Sequence, residues 1–199
     1  IGCNDGIMLE NFVANNVPCL GIEPSENVAN VAREKNIEII NEFFDEDLAK
    51  RIENKYKKAD AILSANVMCH IPYIDSIFAG VKNLLNDDGV FIFEDPYLGE
   101  VIEKTSFDQI YDEHVFLFSA HSVNFIAEKH NLELIDLNKQ STHGGSMRYT
   151  IAHKGKKCKN ISVKNWIEKE KEIGIDKKET YLGFKDSVDK IKADLISLL

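Results

Sequence analysis

Ile1-Gly-Cys-Asn-Asp-Gly6, followed by Pro18-Cys-Leu-Gly-Ile-Glu23, is the stretch that decides the fold. The first six residues read as a tight turn, because glycine supplies backbone freedom and Asn and Asp supply local hydrogen bonds. Ile7, Leu9, Phe12 and Val13 carry the apolar spacing of a short helix. Residues 18–23 read as a buried strand ending on a carboxylate. Ser25 is the expected N-cap of a helix running to about Glu34, its hydroxyl accepting a free amide hydrogen. Such a unit is built to bind a ligand. A loop without side chains lets the backbone approach it, helix amides point at it, and an acid closing the next strand accepts hydrogen bonds from ribose hydroxyls.

Outward from this unit, strands and helices alternate. Ile37-Glu-Ile-Ile40 is a strand and residues 45–57 a helix. Ala59 to Asn66 is a strand entering a loop from Val67 to Pro72. Residues 73–85 form a helix with Ile74, Ile77, Phe78, Val81 and Leu84 on one side. Asp87-Asp-Gly89 ends it, and Val90 to Phe93 is an apolar strand. A helix from Ser122 to Lys129, a strand from Leu132 to Leu137, a glycine turn from Thr142 to Arg148 and a strand from Arg148 to His153 follow. From Val163 to Leu199 the pattern is helical and charged, with a break near Gly174. The expected class is α/β: a Rossmann-like, doubly wound, mostly parallel sheet with a helical C-terminal extension. The expected division is residues 1–154 as the ligand-binding domain and 155–199 as a helical segment leading to a further domain. The strand before the glycine loop is expected to be missing or reduced to Ile1.

Composition narrows the partners. Of 199 residues, 44% are hydrophobic and 29% charged, ordinary values for a globular chain. The net charge of -9 disfavours a nucleic-acid backbone as partner. The Lys-rich stretches after Lys154 and Lys164 are interleaved with acids and read as solvated surface. No long apolar run or charged-then-apolar leader occurs, so neither membrane nor export is indicated and the cytoplasm is the expected location. Cys3, Cys19, Cys69 and Cys158 form no C-x-x-C pair; buried free thiols are expected, with no metal.

The loop also discriminates between ligands. A dinucleotide fingerprint needs G-x-G-x-x-G, but after Gly2 the later glycine positions hold Asn4 and Ile7. A pyrophosphate would meet side chains there, which disfavours an NAD-dependent oxidoreductase. S-adenosylmethionine has no phosphate and tolerates Asn and Asp, with Asp5 expected to face its ammonium group. The expected cofactor contacts are Gly2, Cys3, Asn4, Asp5, Gly6, Glu23, Pro24, Ser25, Phe43, Phe44, Asn66 and Val67.

Further motifs carry a family resemblance: Asn66-Val-Met-Cys-His-Ile71, Phe93-Glu-Asp-Pro-Tyr97, Thr105-Ser-Phe-Asp-Gln-Ile-Tyr-Asp-Glu-His114 and Thr142-His-Gly-Gly-Ser-Met-Arg-Tyr149. With the two opening motifs, they make the chain resemble the sugar C-methyltransferases that act on dTDP-linked deoxy-keto sugars. The Tyr-x-Glu-His and His-Gly-Gly-Ser motifs are the specific ones. The resemblance implies a class I S-adenosylmethionine-dependent methyltransferase yielding S-adenosylhomocysteine, a nucleotide-sugar substrate, flanking domains in the same parent protein, and carbon 3 of a 4-keto sugar as acceptor.

Methylating carbon needs a base that removes a proton beside a ketone, leaving an enolate to attack the methyl group. A pKa near neutral suits histidine. His114 is the expected base, also the position where the resemblance places a catalytic histidine. Tyr111 and Glu113 can orient it or bond the oxyanion. On an extended segment positions 111 and 113 share a face; on a helix 111 and 114 do. The sequence leaves both open. His70 follows a strand end, where such folds bind ligands. His143, Ser146 and Arg148 are expected substrate contacts, Arg148 as a phosphate partner, although a purely structural turn explains them as well. His121, His130 and His153 read as structural or surface groups, and Phe116 and Phe118 as core rather than a sugar platform. Two other readings remain: methyl transfer to oxygen or nitrogen of another small metabolite, and a non-catalytic Rossmann-like nucleotide-binding module.

Overall fold

A computed structural model describes residues 1–199. Its helices are α1 (Glu10–Ala14), α2 (Glu26–Glu34), α3 (Glu46–Tyr56), α4 (Ile74–Leu84), α5 (Leu98–Lys104), α6 (Ala120–Lys129), α7 (Ile161–Ile173) and α8 (Lys178–Leu198). Its strands are β1 (Leu20–Ile22), β2 (Glu38–Ile40), β3 (Ala59–Ala65), β4 (Leu85–Pro96), β5 (Leu132–Gln140) and β6 (Ser146–His153).

The strands form two groups, β1-β2 and β3-β4-β6-β5. The β1–β2 and β3–β4 pairs are parallel, and β6 runs antiparallel to both β4 and β5. Only β6 therefore opposes the other strands of its group, in line with a mostly parallel α/β fold. Residues 1–3 bridge the two groups. The Ile1 nitrogen donates to the Leu63 carbonyl at 2.7 Å, and the Cys3 amide donates to the Ile22 carbonyl at 3.1 Å. The glycine turn is thus suspended between β1 and β3.

The core is aromatic. Phe93 and Tyr149 are register partners on β4 and β6, and their rings stack with centroids 4.7 Å apart. Phe91 stacks on Phe93, and Phe118 meets Phe93 edge-on at 5.5 Å. Cross-strand aromatic pairs of this kind stabilise a sheet face beyond the area they bury. Phe118 is buried and Phe116 packs against the same core, as read from the sequence.

Several boundaries differ from expectation. β4 starts at Leu85, not Val90, because Asp87-Asp-Gly89 stays in the strand as a bulge. Ala59 pairs with Leu85 and Ala61 with Val90, so β4 spends extra residues there. A side chain at Gly89 would meet Leu85 at 2.8 Å, which is why glycine sits there. β6 begins at Ser146, so the glycine turn is shorter than Thr142–Arg148. α5 has no counterpart in the sequence reading. The break after α7 falls at Gly174, in the left-handed conformation at φ 76°. Ser25 holds the N-cap position of α2, but its hydroxyl accepts no helix amide; Glu23 dominates that turn instead. Asp45, Ser119 and Asn160 do cap α3, α6 and α7. All four cysteines are free, yet only Cys69 is buried, whereas Cys158 is exposed. No helix is long and apolar enough to cross a membrane.

Candidate active site

A cavity of about 310 Å³ opens between the glycine turn and the segment after β3. Gly2, Asn4, Glu23, Pro24, Phe43, Phe44, Val67 and His70 are among its walls. Gly2 has φ 63°, and a Cβ there would stand 2.5 Å from the Val67 side chain. Only glycine meets both demands. Gly6 has φ 80°, and its Cβ would strike Ile37 at 2.3 Å, so Gly6 serves close packing on α2 and β2 rather than the wall.

Glu23 is the clamp of this half. Only 8% exposed, it accepts the Asn4 amide on Oε2 and the Ser25 amide on Oε1, both at 2.9 Å. Asn41 donates to its backbone carbonyl at 2.8 Å. A carboxylate can accept about four hydrogen bonds, so acceptor capacity remains for hydroxyls entering the cavity. Phe43, 68% exposed, offers a flat apolar face at the rim, while Phe44 is rooted in the core.

Asp5 is a correction. It does not line the cavity, since Lys35 at the end of α2 holds its carboxylate at 3.1 Å. That hydrogen bond keeps Asp5 below the usual carboxylate range. Cys3, Ser25 and Asn66 also lie outside the walls. The Cys3 sulfur is directed at Gly21, where an added Cβ would approach it to 2.6 Å. Asn66, at φ 55°, donates its amide to the Glu94 carbonyl and turns the chain into Val67.

His70 belongs to two neighbourhoods. It ends a 3-10 turn, Met68–His70, and lines the cavity. Its Nδ1 lies 2.7 Å from the Glu113 carbonyl oxygen, and its ring centroid is 5.0 Å from that of His114. His114 has its Nδ1 2.8 Å from the Gln109 carbonyl and its Nε2 2.8 Å from the Tyr111 hydroxyl. A carbonyl only accepts, so Nδ1 carries the proton in both rings. His114 Nε2 then holds a lone pair, to which the Tyr111 hydroxyl donates. Tyr111 and His114 meet because the segment is a turn, with the His114 amide bonded to the Tyr111 carbonyl at 2.9 Å. The Glu113 side chain is exposed on an open cleft wall with Ile110, Tyr111 and Asp112, while its carbonyl steadies His70.

The third motif is engaged elsewhere. Arg148 forms two hydrogen bonds to Glu94 Oε2, at 3.0 and 2.8 Å, and Thr142 donates to Oε1. The Ser146 hydroxyl donates to the Thr142 carbonyl, closing the turn. Gly145 leaves room for Glu100, which is ion-paired to Lys104 and Lys139. His143 stands exposed at φ 50°. No hydrogen bond or ion pair joins His143, Ser146 or Arg148 to His70 or His114. Of the remaining histidines, His130 bonds Asp75 and His153 donates to the Leu85 carbonyl, whereas His121 is exposed.

Residues 1–137 match the family described as "Methyltransferase domain". The chain belongs to this methyltransferase domain family. Residues 141–199 match a second family, "C-methyltransferase C-terminal domain". The C-methyltransferase NovU of Streptomyces niveus is 30% identical over the whole chain, which spans 47% of that relative. In fold, the methyltransferase domain is similar to a SAM-dependent methyltransferase from Anabaena variabilis, with TM-score 0.59, 15% identity, and coverage of 77% of this chain and 75% of the other. It is also similar to the magnesium protoporphyrin IX methyltransferase of Synechocystis with bound SAH, with TM-score 0.58, 14% identity, and coverage of 76% and 71%.

The cofactor of this methyltransferase domain is S-adenosylmethionine, and the cavity fits it. A buried acid stands at the end of β1, a glycine keeps the turn close to the cavity, and an aromatic ring lies at the rim. The walls also include Ile1, Ile22, Ile71, Pro72 and Tyr73, which sequence reasoning missed. For Ile71 to Tyr73 the available signal was their position directly after His70. Ile1 and Ile22 gave none, because apolar residues at a strand end look like core.

Proposed function

We propose that the domain transfers a methyl group to the carbon beside the ketone of a nucleotide-linked, dTDP-type 4-keto-deoxysugar. The observation that carries this reading is the His114 lone pair, held between the Gln109 carbonyl and the Tyr111 hydroxyl beside a cavity-lining histidine. The match of residues 141–199 to a C-methyltransferase family and the C-methyltransferase relative support carbon as the acceptor atom.

Gly2, Asn4, Glu23, Phe43 and Val67 would hold the cofactor, which supplies an electrophilic methyl group when bound. His114 Nε2 takes the proton from the sugar carbon, whose C–H electron pair becomes the enolate double bond while charge passes to the carbonyl oxygen. In the free protein the Tyr111 hydroxyl covers that lone pair; with substrate in place the hydroxyl turns to the developing oxyanion. His70 stands between the two halves; with Nδ1–H bonded to the Glu113 carbonyl, its Nε2 donates to the same oxygen when the ring is protonated. The enolate carbon would then bond to the methyl group that the bound cofactor supplies, the methyl–sulfur bond breaking with its electron pair left on sulfur as S-adenosylhomocysteine. His143, Ser146 and Arg148 border the sugar nucleotide in this reading, and residues 155–199 lead towards a further domain of the parent protein.

The test is exchange of the sugar C–H with deuterated solvent, with and without S-adenosylhomocysteine. His114→Ala should lower exchange and methyl transfer by about 10²- to 10⁴-fold, with S-adenosylhomocysteine affinity within twofold of the parent. Exchange that persists in this variant would remove His114 as the base. Methyl transfer without any exchange-competent carbon would point to an oxygen or nitrogen acceptor.

A further inference from the structure

Beneath the Met68–His70 turn lies an acid that the steps above leave unused. Asp95, near the end of β4, has no solvent exposure. Its Oδ1 accepts the Cys69 amide at 3.4 Å, and its Oδ2 is buried with no hydrogen-bond partner. No salt bridge involves it. An asparagine would accept the same amide without bringing a charge into the core, and a buried carboxylate with one bare oxygen and no cation paired to it is a cost that structure alone does not require. Such a group beside a cleft is a mark of function.

We propose that Asp95 is a positioning residue of the methyl-transfer reaction, fixing the turn that carries His70 and setting a negative charge behind that imidazole. This rests on the reading of His70 as a donor to the enolate oxygen. Asp95 reaches the substrate only through His70. His70 is already oriented by the Glu113 carbonyl from one side. Asp95 favours the cationic ring from the other, as the sugar oxygen gains charge. The titratable groups facing the carboxylate are Cys69 and His70 from the turn and Tyr149 from β6. Burial pushes Asp95 up to about 6, with Cys69 and the His70 charge pulling the other way. Burial and the Asp95 charge together push the Cys69 thiol far above its ordinary value, so it stays a neutral thiol rather than a competing nucleophile.

The linkage has a definite sign. The folded value lies above the unfolded one, so the carboxylate costs stability once it ionises: the protein loses stability as pH rises from the unfolded value through about 6. Asp95→Asn should therefore raise the melting temperature at neutral pH, with the gain shrinking in acid, while turnover falls. The variant is compared with the parent in three measurements. Melting temperature should rise at neutral pH. Calorimetry with S-adenosylhomocysteine should give the same affinity within twofold. Side-chain nitrogen NMR should show shifted resonances for the His70 ring nitrogens. With a dTDP-linked 4-keto-6-deoxyhexose, kcat should fall about tenfold or more at unchanged KM. A variant that melts lower or fails to fold makes Asp95 structural and overturns the proposal, as does an unchanged His70 ring. If the parent does not turn over the sugar, the substrate reading fails, while melting and NMR still decide whether Asp95 acts on His70.

Discussion

The two halves of the site are built in opposite ways. The cofactor half is a short local device: Gly2, Asn4 and Glu23 lie within one turn-helix-strand unit, and the clamp is a buried carboxylate bonded to backbone amides. The half that carries the proposed base, residues 106–118, contains only a short 3-10 turn at Phe107–Gln109, and Phe107, Ile110, Tyr111 and Val115 stand 46 to 59% exposed. What positions it comes from far along the chain. The Phe116 amide bonds the Cys69 carbonyl, His70 bonds the Glu113 carbonyl, and α6 begins on a carboxylate from α7. Geometry fixed by backbone can be written in a few adjacent residues, whereas geometry held by remote contacts cannot.

The largest effect on stability should come from the anchor behind the catalytic segment. Glu170 accepts the Tyr97 hydroxyl at 3.0 Å and the Ala120 and His121 amides at 2.5 and 2.9 Å. Burial and the Glu170 charge together push the Tyr97 phenol above its ordinary value, so that hydroxyl keeps its proton and donates. Glu170→Ala strands two buried donors and the half-buried His121 amide and should cost about 3 kcal/mol in urea unfolding. A change below about 1 kcal/mol would mean that α7 does not secure the segment.

Gly2→Ala attacks the other half. It forces a Cβ against Val67 at a φ that L-residues rarely adopt. S-adenosylhomocysteine affinity should drop about 30-fold, equivalent to roughly 2 kcal/mol, and the melting temperature should fall as well, because the strained backbone costs stability. Retained affinity would show that the turn yields more than its backbone implies. Tyr111→Phe removes the hydroxyl over His114 and leaves the cofactor half alone. Turnover should fall about tenfold with cofactor affinity unchanged, since one hydrogen bond to the oxyanion is lost. A matching loss of cofactor affinity would dissolve the separation between the halves. Smallest of all, Lys35→Met frees Asp5 from its ion pair. Asp5 is exposed and Lys35 half-buried, so cofactor affinity should stay within about twofold and the melting temperature close to the parent's. A larger loss of affinity would restore Asp5 to the cofactor site.

The fold was readable because buried parallel strands, amphipathic helices and turns leave periodic marks. Gly2 as a turn glycine and Glu23 as a strand-end acid were readable for the same reason. Ser25 and Asp5 misled, since a side chain that can cap or pair was assigned the nearest local task. In the structure the Ser25 amide is bonded to Glu23 while its hydroxyl caps nothing, and the Asp5 carboxylate is bonded to Lys35. The Tyr-x-Glu-His motif named its residues without saying which of them touch; the turn at 111–114 decided that, bringing Tyr111 to His114 and leaving the Glu113 side chain in solvent. Asp95 was invisible as a candidate because a carboxylate at a strand end carries no sign of burial.

The sequence by itself determined the alternating α/β plan, the glycine turn with its acid-ended strand, and the residue types available for proton transfer. Those properties follow from periodicity and backbone preference within a few neighbouring residues. Only the tertiary structure decided which nitrogen of His114 is bare, that His70 faces both halves, that Arg148 is bound to Glu94, and that Asp95 lies unpaired beneath the site. The first depends on how the turn from Gln109 to His114 folds, and the others on a partner more than 30 residues away or on removal from water. None of these leaves a trace in local sequence.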